Sequence, residues 1–286
     1  MNNLQEFDNQ NNKEKNTFSL SYLLMFGYLG VFIVGMLIAT LFESLNIVIF
    51  KTHFPLFSKF ISLLINVIPL VFPVAIAFMQ AQKENKTIDL NWKPTYYLLP
   101  LLLIITVAMT LFCSYTTEFI PNDTGILKKW YKVFEEAFEE LAHPQWILVI
   151  ATCILAPICE ELFFRGLILN GLLKKAKTSL QAWGAILFTA LLFGLIHMNP
   201  WQFIAAMIAG TVMGYVYYRT QSLMNTILMH ALNNIISVVV LLKYGKAEPT
   251  DIFNYPEWWN LIFLAIIIVG LLGVKHWGTK QKEEIV

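Results

Sequence analysis

Long apolar stretches, separated by short polar turns, make up most of this chain. Because about 20 apolar residues make one membrane crossing, the pattern predicts eight helices. They lie approximately at residues 20–42, 57–80, 96–114, 146–170, 181–197, 201–218, 223–243 and 258–275. We therefore predict an all-α, polytopic membrane protein with one transmembrane domain over residues 20–275.

The segment between the third and fourth predicted spans has a different pattern. Apolar residues recur at helical spacing from position 126 to position 141, and lysines and glutamates occupy the opposite face. This pattern predicts an amphipathic helix lying flat on the membrane surface. Two interpretations stay open: a lid or substrate-steering element, or a connector at the interface. The apolar positions are Ile126, Leu127, Trp130, Phe134, Ala137, Phe138 and Leu141.

The composition supports a membrane protein and excludes several other classes. Of the 286 residues, 57% are hydrophobic and only 14% are charged, which is not typical of a soluble domain. The net charge of +1 gives no reason to expect a nucleic-acid partner. The three cysteines lie in apolar stretches without C-x-x-C spacing, so neither a disulfide framework nor a zinc knuckle is indicated.

The basic residues predict how the chain is oriented in the membrane. With the N-terminus inside, twelve Lys or Arg residues fall in the inner segments and seven in the outer ones. This asymmetry predicts a multi-pass protein of the cell membrane with both termini in the cytoplasm. Residues 1–19 are predicted to be a disordered cytoplasmic tail and residues 276–286 a second tail. Lysine makes up 18 of the 20 basic residues, a usage that suggests an AT-rich bacterial genome.

Three charges interrupt the fourth predicted span, in the run CEELFFRG. A charge at the centre of a bilayer costs at least ~2.5 kcal/mol, so such residues indicate a functional site. Glu161 and Arg165 are four residues apart and can pair, whereas Glu160 is rotated by about 100° around the helix. Because one Arg compensates only one carboxylate, the other is a candidate general base facing a hydrated cavity. The alternative is a buried pair that only fixes helix packing.

Two further polar groups lie in apolar helices. FGLIH places His197 at the end of the fifth helix, and MHALNN places His230 and Asn234 one turn apart in the seventh. Each could be an ordinary packing residue. However, three costly polar groups on three helices favour one shared, hydrated pocket.

The depth of these residues adds one structural prediction. Glu160 and Asn234 lie about 15 and 17 Å from the cytoplasmic ends of their helices, so they can meet. His197 ends its helix, and an uncharged turn with Pro200 follows it. We therefore predict a short or strongly tilted fifth helix, with a turn inside the bilayer where the backbone lines a cavity.

The runs EELFFR, FGLIH and HALNN, in this order, resemble the three motifs of the CAAX prenyl protease and bacteriocin-processing family, also called Abi. The family includes the type II CAAX endopeptidase, and the resemblance covers roughly residues 146–240, the predicted catalytic core. It implies an intramembrane endopeptidase acting on a membrane-associated peptide or protein. The implied catalytic residues are Glu160, Glu161, Arg165, His197, His230 and Asn234.

Two mechanisms fit these residues. In the first, Glu160 and His197 activate a water while His230 and Asn234 stabilise the oxyanion. In the second, Glu160, His197 and His230 hold a divalent metal such as zinc. We favour the first, because Asn is a poor zinc ligand, but we commit to no cofactor and keep a divalent metal such as zinc as the alternative. The rival hypothesis is a non-catalytic scaffold, or an immunity or regulatory protein of the cell envelope.

Overall fold

The computed structural model describes residues 17, 18, 20–141, 144–245 and 255–283. Over these residues the chain is helical, and strand-type pairing is limited to two isolated bridges, Thr17 with Thr87 and Asn91 with Ser222. Residues 1–16, 19 and 284–286 of the two predicted tails lie outside this description.

Nine helices are found in the described part of the chain. Eight of them coincide with the eight predicted apolar segments, and the ninth, α4, with the predicted amphipathic segment. Six of the nine are long and apolar enough to cross a membrane, which confirms a polytopic, all-α membrane fold. The helices are α1 Tyr22–Ile49, α2 Pro55–Lys83, α3 Tyr96–Thr117, α4 Gly125–Leu141, α5 Gln145–Leu173, α6 Ser179–Leu195, α7 Pro200–Thr220, α8 Leu223–Tyr244 and α9 Trp259–Glu283.

Helix α6 is short, as the position of His197 predicted. Its 17 residues rise about 26 Å, less than the ~30 Å of a hydrocarbon core. His197 lies in the turn that follows, where Met198 has a φ of 55°. The side chain of Asn199 then accepts a hydrogen bond from the backbone N–H of Gln202 at 2.8 Å and caps α7. The turn therefore ends α6 a few ångströms short of a full crossing.

Helix α5 is irregular on both sides of its charged residues. It is π-helical over Val149–Leu155 and again over Leu162–Leu169, with only the α-helical segment Ala156–Glu161 between them. Segments of π-helix occur frequently at functional sites because they rotate the side chains that follow. Glu160 and Glu161 end the α-helical segment.

The core of the bundle surrounds α5, which packs against α2, α6, α7 and α8. Fully buried residues of α5 such as Phe163 and Phe164 fill the centre of the bundle. By contrast, α1 pairs mainly with α2 and exposes large apolar side chains such as Leu23 and Leu41, which are suited to contact lipid. The α1–α2 hairpin therefore closes one side of the bundle.

Helix α4 lies next to the first turn of α7. The ring of Tyr131 is 5.0 Å from the ring of Trp201, which directly follows Pro200. The predicted helix is thus confirmed. Its location on a membrane surface, and the choice between a lid and a connector, stay predictions.

Candidate active site

Glu161 and Arg165 form a buried ion pair inside the bundle. Nη1 of Arg165 donates to Oε1 of Glu161 at 2.9 Å, which confirms the predicted pairing over one helical turn. Nη2 of Arg165 donates to the carbonyl oxygen of Gly210 in α7 at 3.3 Å, and the guanidinium lies 4.7 Å from the ring centroid of Phe193. The pair therefore ties α5 to α6 and α7.

His230 connects α8 to this pair. Its Nδ1 lies 3.0 Å from Oε1 of Glu161, the same oxygen that Arg165 contacts. A carboxylate paired with Arg can only accept, so Nδ1 carries the proton of this hydrogen bond. The other ring nitrogen, Nε2, lies 3.8 Å from Oε2 of Glu160. Glu161 thus fixes the ring so that its Nε2 faces Glu160.

His197 also directs its Nδ1 to an acceptor of the protein. Its Nδ1 lies 2.8 Å from the carbonyl oxygen of Phe193. Because a carbonyl only accepts, Nδ1 donates, and in the neutral ring Nε2 keeps its lone pair. The ring of Phe193 lies edge-on to both His197 and His230, with centroid distances of 5.2 and 5.7 Å. The F-x-x-x-H spacing therefore places one aromatic ring between two imidazoles.

Asn234 is held by two hydrogen bonds that leave part of its amide available. Its Nδ2 donates to the carbonyl oxygen of Thr152 at 2.8 Å, and its Oδ1 accepts from Nδ2 of Asn233 at 3.0 Å. The amide nitrogen carries two hydrogens, so one of them is left to donate elsewhere. Thr152 belongs to the first π-helical segment of α5.

Two cavities meet at these side chains. The larger, of about 720 Å³, is lined by Glu160, His197, His230 and Asn234 on one side and by the α1–α2 hairpin on the other. The smaller, of about 170 Å³, lies towards α3 and shares His197, His230 and Asn234 with the first. Four of the six predicted site residues therefore converge on one chamber. The other two, Glu161 and Arg165, line neither cavity.

Residues 142–236 match a protein-family model described as Type II CAAX prenyl endopeptidase Rce1-like. The chain carries an Rce1-like region. This match agrees with the resemblance of the three motifs, and the family that the model describes is one of peptidases. The Rce1-like region covers about a third of the chain and contains all six predicted site residues. No curated protein and no solved structure was found to match the chain.

The Rce1-like region does not arrange the suggested ligands as a metal centre. Among the described residues, no three His, Cys, Asp or Glu side chains are grouped so that they could hold a metal ion. Of the three suggested ligands, His197 directs Nδ1 to a backbone carbonyl and His230 directs Nδ1 to Glu161, so each has only Nε2 to offer. Metal-ligating histidines usually have this same arrangement, so the ring orientations do not decide against zinc. What speaks against a metal centre is the spacing of the three groups, and we derive no step through a metal.

Several residues around the Rce1-like site were not identified from the sequence. Thr152 and Gln202 line both cavities, and the α1–α2 hairpin adds Glu43, Ser62 and Asn66 to the larger one. Thr152 accepts a hydrogen bond from Asn234 through its backbone carbonyl, and a backbone contact of this kind cannot be read from a sequence. Glu43 did give a signal, because it is the only charged residue in α1.

Proposed function

We propose that the protein is an intramembrane endopeptidase that hydrolyses a peptide bond of a membrane-associated peptide or protein by means of a water molecule activated by Glu160. The observation that carries this proposal is the shared cavity of Glu160, His197, His230 and Asn234. These residues come from α5, the α6–α7 turn and α8. Polar side chains placed together inside an apolar bundle are costly, and a hydrolytic site accounts for all four.

Glu160 and His197 are the proposed pair that activates the water. Oε2 of Glu160 has no hydrogen-bond partner, and its side chain is 14% exposed. Nε2 of His197 is an acceptor, because Nδ1 donates to Phe193. A water between two acceptors can donate both of its hydrogens and direct its oxygen at the scissile carbonyl carbon. The water oxygen then bonds to that carbon, and its proton passes to Glu160.

His230 and Asn234 are the proposed donors to the oxyanion that forms in this step. Asn234 has one amide hydrogen left, and Nε2 of His230 faces Glu160. Donation from Nε2 while Nδ1 donates to Glu161 requires the doubly protonated ring. Donors directed at a developing oxyanion are among the largest contributions to acyl-transfer catalysis. Breakage of the C–N bond follows, and the proton held by Glu160 is transferred to the leaving amine.

Glu161 and Arg165 are proposed as positioning residues for the same reaction. Neither lines the cavity, but Glu161 holds Nδ1 of His230 and Arg165 holds Glu161. Supporting groups of this kind fix the orientation of the side chains that act on the substrate.

The proposed function is tested by comparing Glu160→Gln with wild type and with Glu84→Gln, which changes an exposed carboxylate at the end of α2. Each protein is reconstituted in vesicles and incubated with a membrane fraction from cells that lack it, and the released peptides are identified by mass spectrometry. We expect fragments from wild type and from Glu84→Gln, and none from folded Glu160→Gln. Cleavage by Glu160→Gln at the wild-type rate would contradict the mechanism. Normal cellular function of that variant without any cleavage would support the scaffold hypothesis.

A further inference from the structure

Glu43 is a carboxylate in an unusual place. It is the only charged residue among the 28 of α1, a helix whose other side chains are mostly suited to lipid. A charged group in such a helix is expensive and is expected to face a polar interior. Glu43 indeed lines the larger cavity, together with Glu160.

A small polar network on the α1–α2 hairpin holds Glu43 in one orientation. Oγ of Ser62 donates to Oε1 of Glu43 at 2.5 Å. Nδ2 of Asn46, which is only 3% exposed, donates to Oγ of Ser62 at 3.0 Å and to the carbonyl oxygen of Ser58 at 2.9 Å. The carboxylate is therefore preorganised by two side chains on the two helices of the hairpin.

The second oxygen of this carboxylate is left without a partner. Oε2 of Glu43 is buried and has no hydrogen-bond partner, although the other oxygen is bonded to Ser62. A buried acceptor without a donor is costly, and the cost is larger for a charged group. A molecule that enters the cavity with a suitable donor would remove that cost.

We infer that Glu43 forms a substrate subsite for a basic side chain, Lys or Arg, close to the scissile bond; this inference rests on the proposed peptidase function. A cationic donor both satisfies Oε2 and compensates the charge of the carboxylate, whereas a neutral donor does only the first. Glu160 lines the same cavity, so a peptide bound there meets Glu43 and the catalytic residues together. Ser62 and Asn46 act by holding the carboxylate in position.

Two lysines also line this cavity, and their positive charge favours an acidic rather than a basic substrate side chain. Lys51 follows the end of α1 and Lys59 lies near the start of α2, so both are closer to the hairpin turn than Ser62 is. Both lysines have interactions of their own. A cavity dominated by these two lysines would prefer an acidic peptide, whereas a subsite at Glu43 prefers a basic one. The charge of the preferred substrate therefore distinguishes the two.

The test uses purified protein in phosphatidylcholine vesicles and a degenerate peptide library in which each position carries Lys, Gln or Glu. Cleaved members are identified by mass spectrometry, and kcat/KM is then measured for three peptides that differ only at the selected position. For wild type and the control Glu84→Gln we expect Lys to be favoured over Gln by about tenfold or more, as for a hydrogen bond to a charged group. In Glu43→Gln the ratio should fall to about one. In Glu43→Lys the peptide with Glu should become the favoured substrate, a gain that misfolding cannot produce.

Two outcomes would overturn the inference alone. An unchanged Lys preference in Glu43→Gln would do so, as would a wild-type preference for Glu, which Lys51 and Lys59 would produce. In either case, an inactive Glu160→Gln would leave the proposed function intact. If no library member is cleaved, or if Glu160→Gln cleaves like wild type, the proposed function fails and this inference fails with it.

Discussion

His230 hydrogen-bonds to Glu161 through Nδ1 at a distance of 3.0 Å, and that bond separates the tasks of two neighbouring carboxylates. Glu161 is fully buried, pairs with Arg165 and lines no cavity, whereas Glu160 faces the chamber. One carboxylate therefore helps to hold α5 against α6, α7 and α8, and the other is available for chemistry. The two residues should give different defects when they are replaced.

Replacing Glu161 is expected to reduce stability, and replacing Glu160 is not. Glu161→Ala leaves Arg165 buried without a counter-ion, a change that typically costs about 3–5 kcal/mol. Glu160→Gln removes a charge whose Oε2 has no hydrogen-bond partner, so it should leave Tm near the wild-type value. Thermal unfolding of the detergent-solubilised proteins measures both. Equal losses of Tm in the two variants would show that Glu160 and Glu161 contribute equally to stability, which contradicts this prediction.

Much of the fold was predictable because membrane spans have a strong signal in one sequence. All eight apolar segments are helices, and the i, i+4 spacing of Glu161 and Arg165 was sufficient to predict their ion pair. The short α6 followed from the position of His197 at the end of its segment. The family model then matched residues 142–236, which contain the three motifs.

The rest of the chamber could not be predicted, because it depends on how distant helices pack. Glu43 is the only charged residue of α1, but the sequence does not show that it contacts Ser62. Only the packed hairpin brings both residues to the cavity of Glu160. Thr152 contributes a backbone carbonyl from a π-helical segment, and apolar periodicity does not reveal such a segment.

His197 should be needed for activity but not for stability. Its ring is half-buried and its only hydrogen bond in the described structure is to Phe193 of the preceding turn, so His197→Phe loses little packing. Loss of the proposed acceptor should lower kcat by about 10²-fold or more. Peptide-release assays and Tm measured on the same preparation test this expectation. A variant with wild-type kcat, or one that loses activity only because it unfolds, would contradict it.

Asn234 should affect kcat more than KM. Asn234→Ala removes a proposed oxyanion donor, and such losses typically lower kcat by about 10²–10³-fold. Ser237→Ala, on the same helix and on the smaller cavity, is the matched control and should change kcat little. Steady-state kinetics on one cleaved peptide distinguish the two variants. A rise in KM at constant kcat would instead assign Asn234 to substrate binding.

Chelators should leave the activity unchanged. The nitrogen atoms of His197 and His230 and the carboxylate of Glu160 do not form a metal cluster in the described structure. The activity of vesicles treated with EDTA and with 1,10-phenanthroline is compared with that of untreated vesicles. Loss of activity that zinc restores, with no effect of the non-chelating 1,7-phenanthroline, would favour the metal mechanism.

The close approach of α6 and α7 should be required to position His197. A Cβ added at Gly194 would lie 2.8 Å from the backbone oxygen of Phe203, so Gly194→Ala must push the two helices apart. Such overpacking typically costs about 1–3 kcal/mol, and here it displaces the turn that carries His197. Gly184→Ala, on the same helix, meets nothing within 4 Å and should be neutral or stabilising. Both variants add one methyl group to α6. A lower Tm and kcat in Gly194→Ala alone would therefore show that the defect comes from the contact between α6 and α7. Matching values in both variants would show that α6 can move without disturbing the site.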